Sequence, residues 1–201
     1  MDLAKIYRSI NLKFIQDLVD NNEEEGLYLE FKTVNFPDIS GQNFDKKNLS
    51  KCLSGFSNSD GGIIIWGIYA KQNNKNVDAA SDLKPIKELS RFSNWIKKNE
   101  GTSITPAAEG VLHKKIEINP DEGFLVSLVP ASKNAPHMAN FADKHYYKRS
   151  ADNFYQCEHY DLMDIINRKS SPELSLKIEE PKINISLTSG DYKESHVSKI
   201  N

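Results

Sequence analysis

The stretch "EEEGLYLEFKT", residues 23–33, places an acid and a base where an alternating apolar strand is expected. In a strand, Glu30 and Lys32 lie on one face and Phe31 on the other. An acid and a base there could contact a phosphate or its metal ion. The alternative is a surface ion pair between Glu30 and Lys32, which contributes little stability.

Basic residues beside aromatic ones are the candidate nucleic-acid-binding residues. Lys148 and Arg149 follow two tyrosines in "HYYKRS", and Lys133 and His137 lie in the loop "PASKNAPH". Lysine and arginine can neutralise phosphates, and an aromatic ring can stack on an unpaired base. Strand alternation sends Lys148 and Arg149 to opposite faces, so at most one of them would line a given groove. The alternative is a polar edge strand.

Composition limits the function classes. The chain has 26 Lys+Arg against 28 Asp+Glu and a net charge of -2, so a nucleic-acid surface must be a local patch. Two cysteines are too few for a disulfide framework, the amino terminus has no apolar signal core, and no apolar run is long enough for a membrane span. These features predict a soluble, cytoplasmic protein without membrane contact.

Apolar periodicity predicts the elements before this strand and after it. Residues 1–22 predict two short helices with Asn11 as a cap between them. Pro37 and Gly41 predict a loop in "NFPDISGQ", and the next helix is expected to begin at Asp45 and end near Asn58. The lysines on that helix (Lys46, Lys47, Lys51) are expected to be solvated.

The remaining segments complete an α+β pattern. "IIIWGIYA" predicts one central strand, with Gly67 marking a close contact to its backbone. A helix is expected from near Pro85 to Gly101, then two strands joined at "NPDEG", a short strand "HYYKRS" and a closing helix "HYDLMDIINRK". Beyond Ser170, apolar residues alternate in two strand-like runs separated by Pro181 (Leu174, Leu176, Ile178; Ile183, Ile185, Leu187).

Taken in order, several fragments resemble the Schlafen-type AlbA-like domain. The resemblance covers roughly residues 23–166. The matching fragments are Glu30-Phe31-Lys32, Gly55-Phe56-Ser57-Asn58-Ser59-Asp60-Gly61-Gly62, Trp66-Gly67-Ile68, Pro130-Ala131-Ser132-Lys133-Asn134-Ala135-Pro136-His137 and Tyr147-Lys148-Arg149.

The resemblance implies a mixed α/β sandwich that binds nucleic acid, and some members are metal-dependent endoribonucleases. It assigns catalytic roles to Glu25, Glu30 and Lys32, with Glu25 and Glu30 as ligands of Mg²⁺ or Mn²⁺. Because residues five apart point to opposite faces of a regular strand, one ion can reach both glutamates only if the chain bends near Gly26. The third carboxylate of the family falls on Ala70, unless Asp60 or Asp78 fills the gap.

Two other ligands are not expected. Cys157 and His159 form Cys-x-His, but a structural zinc site needs four ligands and the remaining candidates are scattered. ATP binding is a remote option, because no P-loop motif is present and Gly61 and Gly62 precede a strand.

The sequence therefore predicts a Schlafen AlbA-like domain over residues 23–170, with N-terminal helices (1–22) and a β-rich appendage or the start of a further module (171–201). We expect it to bind nucleic acid, structured RNA such as tRNA before DNA, with a degenerate metal-dependent endoribonuclease site. The alternative is a non-catalytic regulatory or assembly module of a larger protein, in transcriptional regulation or phage defence. Homo-oligomerisation through the C-terminal strands is a further expectation.

Overall fold

A computed structural model describes residues 2–168, apart from the side chains of residues 39 and 40. It also describes two short strands further along the chain. The chain divides into two compact units, residues 1–170 and 171–201. In the second unit, β12 (Ser186–Ser189) pairs antiparallel with β13 (Tyr192–Ser195). The helices of the first unit are α1 (Leu3–Ser9), α2 (Leu12–Asp20), α3 (Ile39–Ser57), α4 (Leu89–Ser103) and α5 (His159–Asn167). Its strands are β1 (Leu29–Lys32), β2 (Gly61–Trp66), β3 (Ile68–Gln72), β4 (Asp78–Leu83), β5 (Ile86–Lys87), β6 (Ile104–Thr105), β7 (Leu112–Asn119), β8 (Glu122–Pro130), β9 (Met138–Ala139), β10 (His145–Ser150) and β11 (Asn153–Gln156).

The central sheet has the order β1-β2-β8-β5, and β7 also pairs with β8. β1 runs parallel to β2, with Glu30 opposite Ile64, and β2 runs antiparallel to β8. A smaller sheet has the order β11-β10-β9-β6, and β3 pairs with β4 as a separate hairpin. These mixed sheets and the helices confirm the predicted α+β class.

Helices cover both faces of the central sheet. Ile64 and Trp66 pack with α3 and α4 on one face, while Ile63 and Ile65 pack with α1 and α2 on the other. Alternate residues of β2 therefore enter two separate cores, as period-two geometry requires. Because Glu30 is paired with Ile64, its side chain lies on the face that α3 covers.

The predicted start of α3 is wrong. The helix begins at Ile39, where the carboxylate of Asp38 accepts a hydrogen bond from the N–H of Gly41 (3.2 Å). Asp45 is buried inside the helix and accepts a hydrogen bond from the N–H of Phe36 (2.9 Å). Asp45 thus holds the preceding loop against α3 and is not the N-cap.

The predicted strand "IIIWGIYA" is broken at Gly67, which has φ +105 and separates β2 from β3. A Cβ at Gly67 would lie 2.9 Å from Cδ1 of Phe124, which agrees with the close backbone contact expected there. The helix expected near Pro85 begins later, at Leu89, because β4 and β5 lie on either side of Pro85. It ends at Ser103, past Gly101.

Other predicted elements are confirmed. The side chain of Asn11 caps α2 by accepting a hydrogen bond from the N–H of Phe14 (2.9 Å). "HYYKRS" coincides with β10, and the turn after Asn119 joins β7 to β8. None of the described helices is long and apolar enough to cross a membrane.

Most of the alternating C-terminal run lies outside the described residues (Leu174, Leu176, Ile178, Pro181, Ile183, Ile185). Leu187 lies in β12. Oligomerisation through residues 171–201 stays a prediction.

Candidate nucleic-acid interface

A tight turn before β1 brings Glu25 back toward the strand. The N–H of Gly26 donates to the carbonyl of Leu29 (3.2 Å), and the N–H of Leu29 donates to the carbonyl of Gly26 (3.4 Å). Oε1 of Glu25 then accepts a hydrogen bond from the N–H of Phe31 (2.8 Å). The chain therefore bends at Gly26, which is the geometry that the spacing of Glu25 and Glu30 requires.

Glu30 is held by two cations. Oε1 accepts from the amino group of Lys32, and Oε2 accepts from Nη1 of Arg149 on β10. Glu30 is only 2% exposed and Arg149 6%. The alternative interpretation, a surface ion pair, is therefore wrong. Glu30 and Lys32 are paired, but the pair belongs to a buried network.

Arg149 is fixed by more than its carboxylate partner. Its guanidinium donates to the carbonyls of Gly26 (2.8 Å) and Leu29 (2.9 Å), so it also ties the turn to β10. The guanidinium lies over the rings of Phe154 and Phe56, at 4.5 and 5.5 Å from their centroids. Arginine suits this position because its planar group can donate in several directions and stack at the same time.

Burial and charge set the protonation of this network. Burial, followed by the charge of Glu30, raises the pKa of Glu25 to about 8. Burial, the largest single effect, lowers the pKa of Lys32, but the charges of Glu30, Cys52 and Glu25 and the hydrogen bond to Glu30 together outweigh it, so the pKa is raised. At neutral pH the raised pKa of Lys32 keeps its amino group charged, and the raised pKa of Glu25 favours its neutral form.

These residues do not fit the Mg²⁺ or Mn²⁺ site that the resemblance implies. A divalent ion needs free carboxylate oxygens, but both oxygens of Glu30 are paired with cations and Oε1 of Glu25 accepts a hydrogen bond from the N–H of Phe31. Ala70 supplies no ligand. Asp78 lines the same cleft as Glu25, yet no three His, Cys, Asp or Glu side chains in the described part of the chain form a group that could hold a metal.

A cleft beside the network opens to solvent. We call it the β1–α3 cleft; it has a volume of about 200 Å³ and is lined by Glu25, Phe31, Lys32, Thr33, Phe44, Asn48, Tyr69, Ala70 and Asp78. Phe44 is 56% exposed and Tyr69 44%. Two aromatic rings thus border a cleft whose inner wall carries Lys32.

α3 also carries a basic surface, which we call the lysine face (Lys46, Lys47, Lys51). Lys46 lies over the ring of Phe141 (5.3 Å to the centroid), and Lys51 lies over the ring of Tyr147 (5.4 Å). The sequence predicted only that these lysines are solvated, and it did not predict their contacts with aromatic rings. Each contact joins a lysine to a ring about a hundred positions further along the chain, and a single sequence does not show that two such distant residues meet.

The predicted nucleic-acid-binding residues differ in burial and in their partners. Arg149 is buried, and Lys148 points the opposite way and pairs with Asp161 (3.0 Å), as alternation predicted. His137 is fully buried, and its Nδ1 lies 2.6 Å from the carbonyl oxygen of Pro106. The nucleic-acid-binding roles of Arg149 and His137 stay predictions, and both side chains would have to leave the interior for direct contact with a nucleic acid. Lys133 is exposed in its loop.

A Ser–His–Glu chain elsewhere has no access to substrate. Nδ1 of His113 lies 2.7 Å from the hydroxyl of Ser127, and Nε2 lies 2.8 Å from the carboxylate of Glu100. Ser127 is fully buried and accepts a hydrogen bond from the indole of Trp66 (3.0 Å). The chain of hydrogen bonds therefore satisfies buried polar groups between β7, β8 and α4.

Comparisons with known proteins identify the family of this chain. The family model described as Schlafen, AlbA_2 matches residues 25–158. A search of the curated proteins finds no match. One similar solved structure is the DIP2311 protein from Corynebacterium diphtheriae, with 14% identity and a TM-score of 0.46 over 78% of this chain and 28% of that chain. Another is the N-terminal domain of a Nitrosomonas europaea protein described as related to the ATP-dependent DNA helicase RecG, with 18% identity and a TM-score of 0.47 over 73% of this chain and 95% of that chain. Because the family model covers more than half of its length, this chain belongs to the Schlafen AlbA_2 family.

Proposed function

We propose that this domain binds nucleic acid with unpaired bases, RNA in preference to DNA, and does not cleave it. The observation that carries the proposal is the lysine face of α3, where Lys46 and Lys51 are held over aromatic rings at the surface. Membership of a family associated with nucleic-acid binding supports the same reading.

The lysine face supplies the phosphate contacts. Within residues 2–168, Lys46 and Lys51 form no ion pair, whereas Lys47 is paired with Asp143 (3.1 Å). A lysine positioned by a ring loses less freedom when it meets a phosphate, and each contact releases counterions. Binding should therefore weaken strongly as salt rises.

The β1–α3 cleft supplies the base contacts. Phe44 and Asn48 belong to α3 and line the cleft, so the cleft continues directly from the helix that carries the lysine face. An unpaired base can stack on Phe44 or Tyr69, while Asn48 offers both a donor and an acceptor to a base edge. A paired base cannot enter such a cleft without leaving its helix.

The network around Glu30 argues against cleavage. A nuclease of the implied kind would use Glu25 and Glu30 to hold a metal ion, but Arg149 and Lys32 occupy the position of that positive charge. Moving them would leave Glu30 buried and unpaired, which is costly. The amino group of Lys32, on the wall of the β1–α3 cleft, instead favours a phosphate there.

The test is a titration of labelled tRNA and single-stranded DNA at several salt concentrations. We expect tighter binding of RNA, and a loss of affinity in the double variant Lys46→Gln/Lys51→Gln. The slope of log binding constant against log salt should become shallower by about 1.4, at about 0.7 for each of two lost phosphate contacts.

The matched control is Lys97→Gln/Lys98→Gln, which removes the same charge from exposed positions of α4. It should keep the salt slope of the unchanged protein. Equal losses in both double variants would show that total charge, and not the lysine face, determines the affinity. Phe44→Ala should weaken binding of single strands more than binding of duplex.

A further inference from the structure

A second cavity lies away from the β1–α3 cleft, between the loop after β8 and α5. It has a volume of about 410 Å³ and is lined by Ser132, Lys133, Ala135, Ile165 and Arg168. Two of the lining residues are cations and one carries a hydroxyl. None of these five residues is acidic, although the chain as a whole has a net charge of -2.

The polar groups of this cavity have free capacity. Lys133 is exposed and makes no ion pair with any described residue. The hydroxyl oxygen of Ser132 accepts a hydrogen bond from the N–H of Asn134 (3.0 Å), so the hydroxyl proton can still be donated to a ligand. The short turn that this bond closes fixes Ser132 beside Lys133.

The end of α3 fixes the other side. Nη2 of Arg168 donates to the carbonyl of Asn58 (2.9 Å), and the N–H of Ser132 donates to the carbonyl of Ser57 (3.1 Å). Asn58 is itself fully buried. These two bonds anchor Arg168 and Ser132 to the same helix end, and they leave other N–H groups of the guanidinium to bind a ligand.

The floor of the cavity is apolar. Ala135 and Ile165 belong to a small buried cluster with Cys157. A guanidinium, an amino group and a hydroxyl around one space suit the tetrahedral oxygens of a phosphate. The volume exceeds what a phosphate alone would fill, and the apolar floor can accept the remainder of a nucleotide.

We propose that this cavity binds a phosphomonoester, as a free mononucleotide or as the terminal phosphate of a nucleic-acid strand. Arg168 and Lys133 contact the phosphate oxygens, Ser132 donates to one of them, and the sugar or base lies on Ala135 and Ile165. The site is separate from the lysine face, so it does not depend on the proposed nucleic-acid binding through α3.

The experiment titrates the full chain with inorganic phosphate, with AMP, and with two short RNA strands that differ only in a 5′-phosphate. Calorimetry gives the affinity, and the amide resonance of Ala135 reports the location. We expect the phosphorylated ligands to shift Ala135 and the variant Lys133→Gln to bind them about tenfold more weakly. Lys87→Gln, an exposed lysine of β5, should bind like the unchanged protein.

The two sources of the phosphate give different results. In the Lys46→Gln/Lys51→Gln background, equal affinity for AMP and the phosphorylated strand identifies a free nucleotide as the ligand. A strand that binds there more tightly than AMP and than the matching 5′-hydroxyl strand identifies a strand end. The proposal is overturned if Ala135 does not shift, or if Lys133→Gln binds every ligand as the unchanged protein does. Lys46→Gln/Lys51→Gln should weaken both strands alike and leave AMP unaffected, which separates this site from the lysine face.

Discussion

At the scale of single residues, the central feature is a buried glutamate between two cations. Glu30 meets Lys32 two positions away and Arg149 from a distant strand. The sequence shows why the first contact forms, since both side chains lie on one face of β1. It does not reveal the second, because the positions of β10 and of the turn at Gly26 relative to β1 depend on the whole fold.

Replacing Arg149 tests this arrangement. Arg149→Gln leaves Glu30 with one cation and leaves the carbonyls of Gly26 and Leu29 without their donor, so we expect a loss of about 3–5 kcal/mol of unfolding free energy. Urea unfolding measures it. The neighbour Lys148→Gln breaks a pair with Asp161 whose side chains are 21% and 20% exposed, in contrast to the buried network, and should cost about 1 kcal/mol or less. Similar losses in the two variants would contradict the buried network.

The protonation of Glu25 gives a pH-dependent prediction. The pKa of Glu25 in the folded protein, about 8, lies above its ordinary value of 4.5. The folded state therefore binds more protons than the unfolded state between these values, and Glu25 lowers stability progressively as pH rises through that window. In Glu25→Gln this contribution is absent, and the amide oxygen can still accept from the N–H of Phe31.

Urea unfolding of both proteins across this pH window measures the effect. The stability of Glu25→Gln relative to the unchanged protein should rise between a pH of about 4.5 and about 8. A difference that stays constant with pH would mean that Glu25 titrates at an ordinary pKa in the folded state.

At the scale of elements, local patterns predicted what local chemistry determines. The cap at Asn11, the hairpin between β7 and β8, and β10 all follow from nearby residues. The start of α3 could not be found in this way, because Pro37 and Gly41 are typical of loops and the bond from Phe36 to Asp45 forms only when the loop folds back. Likewise, nothing in "IIIWGIYA" shows that β3 leaves the central sheet to pair with β4.

Gly67 makes the break between β2 and β3 testable. Gly67→Ala forces a positive φ on alanine and places its Cβ against Phe124, so we expect a loss of about 1–3 kcal/mol in urea unfolding. Gly101→Ala is the control: it lies in α4 with no atom within 4 Å of the added Cβ, and it should stabilise by up to about 1 kcal/mol. A Gly67→Ala variant with an unchanged free energy of unfolding would contradict the break between β2 and β3.

At the scale of the whole molecule, a net charge close to zero is compatible with two separate basic regions. The net charge of -2 does not indicate a polyanion ligand, yet α3 presents Lys46 and Lys51 on one side and the cavity at α5 gathers Lys133 and Arg168. The motif order was enough to predict the family and the fold class. The protonation of Glu25 and the cations around Glu30 required the folded structure, because they depend on burial and on contacts between distant segments.

The most direct test of binding without cleavage is incubation of labelled tRNA with the purified chain, with Mg²⁺ or Mn²⁺ and with a chelator, beside Glu25→Gln. We predict intact tRNA under every condition and a retarded complex that weakens as salt rises. Fragments that require the metal ion and are absent with Glu25→Gln would contradict the account, because they would mean that the cations around Glu30 give way to a working metal site.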